Sequence, residues 1–174
     1  MQLKEAISLI QTEEFIKDSQ SAWADLGCGS GLFTQALAGI LRMGSLIYAV
    51  DKNISSLKIN SITNSVIIHP MESDFVNNIL DLKNLDGILM ANSLHFVRDK
   101  KSFLKKSNSY FRENPVYLFV EYDTDKPSSW VPYPISFWAI KNLFTELGYT
   151  TIKKLHERKS LYYTGNLYSV LITQ

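Results

Sequence analysis

The chain has 174 residues, of which 45% are hydrophobic and 20% are charged, a composition typical of one ordinary globular domain. A formal net charge of +1 gives no global electrostatic reason for binding to nucleic acid or to an anionic membrane, and no apolar run approaches the length of a membrane span. The single cysteine, Cys28, excludes an intramolecular disulfide and fits a reducing compartment, so we expect a cytoplasmic protein.

The first quarter of the chain alternates between helical and strand periodicity. Apolar residues on one face predict an amphipathic helix over 2–17, and an apolar run predicts a strand over 21–26. Helical spacing returns over 32–41, and a buried-strand run follows over 46–50. This part of the chain therefore predicts a helix followed by a strand–helix–strand unit.

The next segment is less regular. A weak helical pattern covers 54–64, a third strand is predicted over 66–68, and a short helix is predicted over 76–82. A fourth strand over 86–91 then leads to the stretch Asn92–Phe96. The helix boundaries in this region are the weakest part of the pattern.

The second half contains the remaining elements. Apolar residues over 103–111 predict a helix, and a fifth strand is predicted over 116–120. A segment rich in Pro and Ser, 125–138, predicts a loop that carries large aromatic residues. The chain then predicts, in order, a helix over 137–147 that Gly148 stops, a strand over 149–156 and a strand over 167–173.

This alternation of strands and helices predicts an α/β fold. Consecutive strands joined through helices require a parallel sheet with right-handed crossovers, whereas the last two strands are close enough in sequence to be antiparallel. In such a sheet, ligands bind beyond the carboxyl ends of the strands. The residues at those ends are therefore the candidates for function.

Three alternating glycines follow the first strand directly, in the stretch Asp25–Gly31 (DLGCGSG). Glycine has no Cβ, so it adopts a positive φ at little cost and lets a ligand lie against the backbone. The helix that follows presents free N–H groups to that ligand. A dinucleotide fingerprint would place its third glycine where Leu32 stands, and no Gly-Lys-Ser/Thr sequence of a phosphate-binding loop follows.

The glycine stretch closely resembles motif I of the class I S-adenosylmethionine-dependent methyltransferases. In the same order, 49–51 looks like the acidic end of that family's second strand, 73–75 like its adenine-edge motif, and 89–96 like the strand-four motif of its small-molecule members. The resemblance implies a methyltransferase with S-adenosylmethionine as cofactor. It also implies a Rossmann-like three-layer sandwich with a mostly parallel sheet and an antiparallel C-terminal strand pair.

The resemblance also implies roles for residues at the ligand edge. Asp51 would accept hydrogen bonds from the ribose hydroxyls, and Asp74 would accept one from the adenine amino group. The structural alternatives are that Asp51 ends a strand, Asp74 caps a helix and Asn92 shapes a turn. The predicted cofactor-binding residues are Asp25, Gly27, Gly29, Asp51, Lys52, Asp74, Phe75 and Asn92. Of these, Asp25 and Asn92 would hold the methionine end, and Lys52 would flank the adenosine.

His95 follows the fourth strand at the ligand edge, and it is the best-placed candidate for a general base. Its alternative role is structural. Trp130, Tyr133 and Trp138 on the aromatic loop are candidates for the substrate pocket, with core packing or loop anchoring as their alternative. No metal site is predicted.

The sequence predicts one domain, and a small-molecule acceptor is favoured. The stretch after Asn92 lacks the Pro-Pro-aromatic sequence of amino-group methyltransferases that act on nucleic acids, so no nucleic-acid partner is expected. Two alternatives stay open at this point, a cofactor-binding module or partner subunit without its own catalysis, and a reductase that uses NAD(P). The predicted parts are an N-terminal helical cap (1–20), a cofactor-binding core (21–124), an aromatic loop (125–138) and a terminal helix with a strand pair (139–174).

Overall fold

Strands and helices alternate in the computed structural model of the chain, which describes residues 1–13, 19–59, 62–160 and 165–174. The strands within these ranges are β1 (Ala22–Leu26), β2 (Leu46–Asp51), β3 (Ile62–Thr63), β4 (Val66–Glu72), β5 (Leu85–Ala91), β6 (Phe111–Tyr122), β7 (Thr151–Lys159) and β8 (Asn166–Thr173). The helices are α1 (Leu3–Ile10), α2 (Leu32–Ala38), α3 (Lys100–Ser107) and α4 (Phe137–Glu146).

The described strands form one sheet in the order β3-β4-β2-β1-β5-β6-β8-β7. The central strands β4, β2, β1, β5 and β6 run parallel, and β8 lies antiparallel between β6 and β7. The pairing places Leu26 opposite Val50 and Ala91 opposite Val120, so the carboxyl ends of the parallel strands share one edge. The predicted mostly parallel sheet with an antiparallel C-terminal pair is confirmed.

Two of the described helices cover each face of the sheet. Tyr117 and Phe119 of β6 pack with α3 and α4, whereas Leu118 and Val120 pack with α1 and α2. This division follows from the period of two in a strand, which turns successive side chains to opposite faces. The three-layer sandwich is confirmed.

Helix α1 is held by polar contacts with the last two strands as well as by its apolar face. Glu5 accepts a hydrogen bond from Arg158 of β7 (2.9 Å), and the Leu9 carbonyl accepts one from the Ser169 hydroxyl of β8 (2.5 Å). The Nε2 atom of His156 lies 3.2 Å from the carbonyl oxygen of Gln11, which follows the helix. The predicted helix over 2–17 ends at Ile10, and 14–18 lie outside the described residues.

The helix predicted over 54–64 is wrong. Among its described residues, 54–59 and 62–64, the helical part is a single 3-10 turn at Ile54–Ser56, and residues 57–59 run extended over the glycine turn. Lys58 donates its N–H to the Ser30 carbonyl (3.1 Å), and Ile59 packs where a Cβ on Gly31 would stand. The apolar residues of this segment therefore cover a turn instead of forming a helical face. Residues 60–61 lie outside the described part of the chain.

The short helix predicted over 76–82 is also wrong, because this segment is irregular. Its apolar residues Leu80 and Leu82 are buried against the sheet, and the Leu80 N–H donates to the Tyr110 hydroxyl (3.1 Å). Among the described helices, the longest has ten residues, too few to cross a membrane. The next helix, α3, begins after Asp99, which accepts a hydrogen bond from the Ser102 N–H (3.0 Å), and it ends before the predicted 111.

Candidate active site

A cavity of about 610 Å³ lies at the carboxyl edge of the sheet, between the segments that follow β1, β2, β4 and β5. The structure brings the predicted cofactor residues together, because all eight line this cavity: Asp25, Gly27, Gly29, Asp51, Lys52, Asp74, Phe75 and Asn92. We call it the first cavity. Its position agrees with the general rule for open parallel sheets.

The backbone of the glycine turn packs closely against the residues around it. Gly27 has a φ of +86°, and a Cβ at this position would stand 2.4 Å from the Cβ of Ser93. The N–H groups of Gly27 and Cys28 both donate to the Val50 carbonyl, at 2.8 and 3.0 Å. Only glycine combines this backbone conformation with this close approach.

Asp51 holds the turn from the end of β2. Its Oδ2 atom accepts a hydrogen bond from the Gly29 N–H (2.9 Å), and its Oδ1 atom accepts one from the Asn53 N–H (3.1 Å). Each carboxylate oxygen can accept a second hydrogen bond. The side chain is therefore fixed in place and still able to accept hydrogen bonds from hydroxyl groups of a ligand.

Asp25 is fully buried beneath the same turn. Its Oδ2 atom accepts a hydrogen bond from the Thr34 hydroxyl (2.6 Å), whereas its Oδ1 atom has no partner within the described part of the chain. Burial raises the pKa of the Asp25 carboxyl to about 7, while the hydrogen bond from Thr34 lowers it and the nearby Asp51 carboxylate raises it. A buried acceptor with no partner is costly, so this atom indicates a site for a donor group of a ligand.

Asp74 shapes the turn that follows β4. Its Oδ1 atom accepts hydrogen bonds from the N–H groups of Val76 (3.0 Å) and Asn77 (3.2 Å), so it stabilises a turn, and residues 76–82 form no helix for it to cap. The hydrogen bond from the Asn77 side chain lowers the pKa of Asp74, and the positive charge of Lys52 lowers it further. The neighbouring Phe75 is buried and forms part of the cavity wall.

Asn92 stands at the end of β5 with a φ of +54°, the left-handed conformation that asparagine tolerates better than most residues. Its N–H donates to the Val120 carbonyl (2.8 Å). Its buried Oδ1 atom has no partner among the described residues. Asn92 also lines a second cavity, of about 260 Å³, which lies over the ends of β6, β7 and β8.

His95 is buried beside the first cavity and does not line it. Its Nδ1 atom lies 2.7 Å from Oε2 of the buried Glu121, and Oε1 of Glu121 accepts the His95 N–H (3.3 Å). The sequence interpretation missed Glu121, although a carboxylate that ends an apolar strand is the same signal that Asp51 gives. Other residues it missed in the cavity wall are Cys28, Ser93 and Phe96.

The aromatic loop is tied to this buried pair. Tyr133 donates its N–H to the His95 carbonyl (3.0 Å), and its own carbonyl accepts a hydrogen bond from Lys100 Nζ (2.6 Å). Burial lowers the pKa of Lys100, and the charge of Glu121 opposes that shift. Trp130 and Trp138 are 82% and 67% exposed, and neither lines the two cavities.

The chemistry of the first cavity fits the cofactor that the sequence resemblance implies. Its charged residues comprise three aspartates and one lysine, and two buried oxygens, on Asp25 and Asn92, lack donors within the described residues. S-Adenosylmethionine carries an ammonium group, two ribose hydroxyls and an adenine amino group, all of which are donors. The donor set of the ligand therefore matches the acceptor set of the cavity.

Comparisons with known proteins agree with this geometry. Residues 24–118, more than half of the chain, match the model of a family described as a methyltransferase domain. Sequence comparison with curated proteins gives no match.

Solved structures with the same architecture cover nearly the whole chain. A methyltransferase from Aquifex aeolicus, described as dependent on S-adenosylmethionine, superposes with a TM-score of 0.63 at 15% identity, over 99% of this chain and 98% of that one. A magnesium protoporphyrin IX methyltransferase from Synechocystis, solved with bound S-adenosylmethionine, gives 0.67 at 11% identity, over 99% and 77%. A possible histamine N-methyltransferase from Thermotoga maritima gives 0.64 at 15% identity, over 97% and 88%. At these identities the likeness shows a shared fold.

Proposed function

This chain belongs to the class I S-adenosylmethionine-dependent methyltransferase family, and we propose that it methylates a small-molecule acceptor. The observation that carries the proposal is the first cavity, where two buried oxygens without donors among the described residues lie beside the glycine turn. The matched residues, 24–118, fall within the predicted cofactor-binding core, 21–124. The near-neutral net charge favours a small acceptor over a nucleic acid.

We assign the cofactor-binding roles from the positions of the acceptors. The carboxylate of Asp25 and the amide oxygen of Asn92 would bind the ammonium group, and Asp51 would bind the ribose hydroxyls. Asp74 and the backbone of Phe75 would bind the adenine, with Lys52 at the rim. The bare backbone of Gly27 and Gly29 would let the methionine part lie close to the sheet.

The chain would promote transfer mainly by positioning. When bound, S-adenosylmethionine would supply a methyl group on a positively charged sulfur: a lone pair of the acceptor would form a bond to the methyl carbon as the carbon–sulfur bond breaks, and the neutral thioether would leave. Residues that hold the acceptor in line and exclude water therefore provide most of the catalysis. A hydroxyl acceptor also needs a base for its proton.

His95 is our candidate for that base, with Glu121 as the residue that positions it. The Nε2 atom of His95 makes no hydrogen bond within the described residues, but its side chain is only 3% exposed. Movement of Phe96, whose ring centroid lies 4.4 Å from that of His95, would be needed to uncover it. Because His95 is buried, its role as the base has to be tested by substitution.

Replacing His95 by glutamine tests this role. We expect H95Q to keep cofactor affinity and to lower kcat for a hydroxyl acceptor about tenfold to a hundredfold, because the base is lost. E121Q should lower kcat less, because it keeps the imidazole and removes only the carboxylate that positions it. A turnover equal to that of the unmodified protein at every pH would assign His95 to a structural role.

The exposed aromatic residues Trp130, Tyr133 and Trp138 are proposed as outer contacts for acceptors larger than the cavities. Trp130 and Tyr133 lie on a loop that hydrogen bonds anchor beside Phe96, at the wall of the first cavity, and Trp138 lies in the first turn of α4. Rigid aromatic surface of this kind contacts planar or apolar molecules at a small cost in conformational entropy. We further propose a cytoplasmic location, which the single cysteine supports.

Two measurements test the proposed function. Thermal stabilisation by S-adenosylmethionine, compared with NADH, tests the cofactor, and a reductase that uses NAD(P) would respond to NADH instead. Release of S-adenosylhomocysteine is then followed across a panel of phenols, amines, thiols and carboxylic acids. Tight cofactor binding without release for any acceptor would favour the alternative of a binding module or partner subunit.

A further inference from the structure

We propose that the second cavity binds the methyl acceptor and selects a small, largely apolar molecule that carries an anionic group such as a carboxylate. This inference rests on the proposed function and names its substrate class. The supporting observations are the position of the cavity, the nature of its walls and the sign of the charges at its rim.

The second cavity begins where the first cavity ends. The two share Leu32, Phe33 and Asn92, and the second then continues over Tyr122 of β6 and Leu167 of β8. Asp51 and Asp74, which we assign to the adenosine, lie at the far end of the first cavity, beyond β1. A cofactor in this orientation would have its adenosine at Asp51 and Asp74 and its ammonium group at Asp25 and Asn92. Its sulfur and methyl group would then lie between these two ends, in the part of the first cavity next to the wall that the two cavities share.

The walls of the second cavity suit a small apolar body. Phe33 and Leu167 are 8% and 3% exposed, and the aromatic ring of Tyr122 forms another side. A volume of about 260 Å³ exceeds the ~150 Å³ of an apolar cavity that holds benzene. The space therefore accommodates one substituted ring.

Positive charges line the rim. Arg158 and Lys159 stand at the end of β7, and none of the described residues that line this cavity is acidic. Arg158 is paired with Glu5 of α1 at 2.9 Å. Lys159 is exposed, and its ammonium group has no ion-pair or hydrogen-bond partner within the described ranges. Its ammonium group is therefore free to bind an anion of the acceptor.

The opposite charges of the two cavities would orient such an acceptor. The first cavity contains three aspartates and one lysine, whereas the charged side chains of the second are two cations, Arg158 and Lys159, so an anion is favoured in the second. An anionic acceptor would place its charged end at Lys159 and its uncharged, nucleophilic end toward Asn92. Charge thus determines which end of the acceptor meets the methyl group.

The test compares two probes that differ in charge, 4-hydroxybenzoate and 4-hydroxybenzamide, by calorimetry on the protein saturated with S-adenosylhomocysteine. We expect the carboxylate to bind about tenfold more tightly than the amide, because it gains a charge-assisted hydrogen bond. K159E should remove this preference. E5Q removes the carboxylate that pairs with Arg158, so it should increase the preference for the carboxylate probe.

Lys83→Glu is the matched control, because it reverses an exposed lysine beside Asp81, outside both cavities. We expect K83E to leave both probe affinities unchanged and K159E to leave the affinity for S-adenosylmethionine unchanged. Equal binding of the two probes, binding of neither, or equal effects of K159E and K83E would each overturn the inference.

The outcome is separable from that of the proposed function. If S-adenosylmethionine fails to stabilise the protein, the proposed function fails whatever the probes do. If the cofactor binds and methyl transfer occurs with other acceptors while the probes show no charge preference, the assignment of an anionic acceptor alone is overturned.

Discussion

The two cavities at the carboxyl edge of the sheet are built from different parts of the protein. The polar groups of the first are backbone and short acidic side chains at the ends of neighbouring parallel strands, with Asp25, Asp51 and Asp74 as its carboxylates. Outside the wall that the two cavities share, the second is made of side chains from segments far apart in the sequence, such as Tyr122 and Lys159. Backbone geometry thus constrains the first, and side-chain identity determines the second.

This difference separates the cavity that we assign to the cofactor from the one that we assign to the acceptor. A cavity made by a glycine turn and strand ends tolerates few substitutions, because each change alters the backbone path. A cavity made by side chains from β6, β7, β8 and α2 can change its specificity one residue at a time. The predictions below test whether the two regions respond as differently as this comparison requires.

The largest effect is expected at Gly27. Alanine there combines a φ of +86° with a Cβ only 2.4 Å from that of Ser93. We expect G27A to lower the free energy of unfolding by roughly 2–4 kcal/mol through strain and overpacking. We also expect the affinity for S-adenosylmethionine to fall at least about a hundredfold, which calorimetry would measure.

Gly148 provides the matched control for that substitution. It has a φ of +87°, but no described atom lies within 4 Å of the position that a Cβ would take there, and it lines neither cavity. G148A should cost about 1–2 kcal/mol of stability from the left-handed backbone alone. Cofactor affinity should be unchanged, and a loss equal to that of G27A would show that general destabilisation explains both.

The next effect is expected at Asp51. D51N keeps the shape of the side chain and removes the charge that holds the Gly29 N–H and, in our assignment, the ribose. A loss of about 1.5–3 kcal/mol for hydrogen bonds to a charged group corresponds to roughly ten- to a hundredfold weaker cofactor binding. The control is D81N, at an exposed position outside both cavities. Binding within threefold of the unmodified protein would leave Asp51 with only its role at the end of β2.

The free energy of unfolding should depend on pH through Asp25, which lines the first cavity. Its pKa of about 7 lies above the usual value for aspartate, so the folded protein holds a proton between about pH 4 and pH 7 that the unfolded chain has released. The stability contributed by this group is therefore complete below pH 4 and is lost as the pH rises toward 7. D25N should remove this dependence and resist unfolding better than the unmodified protein above pH 7.

Cofactor binding should respond to Asp25 in the opposite sense. An ammonium group favours the ionised carboxylate, so we expect affinity to weaken severalfold as the pH falls from 7.5 to 5.5. D25N should bind more weakly at pH 7.5 and show little change over this range. An unchanged pH dependence in D25N would mean that another group governs it.

The smallest effect is expected on the aromatic loop. Trp130 is 82% exposed, so W130A should change the free energy of unfolding by less than about 0.5 kcal/mol. The KM for a one-ring acceptor should change less than about threefold, with a larger change for acceptors that extend beyond the cavities. A tenfold rise for the one-ring acceptor would place specificity on the loop instead of the second cavity.

The first cavity could be predicted from the sequence because each part of it is local. The glycines in the stretch Asp25–Gly31 predict a turn, and Asp51 and Asn92 each follow an apolar run. Parallel pairing then brings those ends to one edge of the sheet. The order of strands along the chain was therefore sufficient to predict that these residues lie together, without knowledge of any side-chain packing.

The second cavity and the buried pair could not be predicted in this way. His95 and Glu121 meet through strand pairing, but nothing near Glu121 indicates which residue it faces. Lys159 reaches the carboxyl edge because β7 runs antiparallel to β8, which itself runs antiparallel to β6, so β7 ends at the same edge as β6. The helix predictions over 54–64 and 76–82 were wrong because apolar residues can also be buried in irregular conformations. The first segment covers the glycine turn, and the second covers a face of the sheet.

Helix α1 finally has a consequence for the order of folding. Its polar contacts with β7 and β8 join residues 145 to 160 positions apart. Contacts of such sequence separation form late, because the entropy of closing a long loop opposes them. During synthesis α1 can pack on α2 early, but its hydrogen bonds to β7 and β8 must wait until both of those strands have emerged from the ribosome. The contacts between α1 and the β7–β8 pair would thus form after the parallel strands of the sheet have been synthesised.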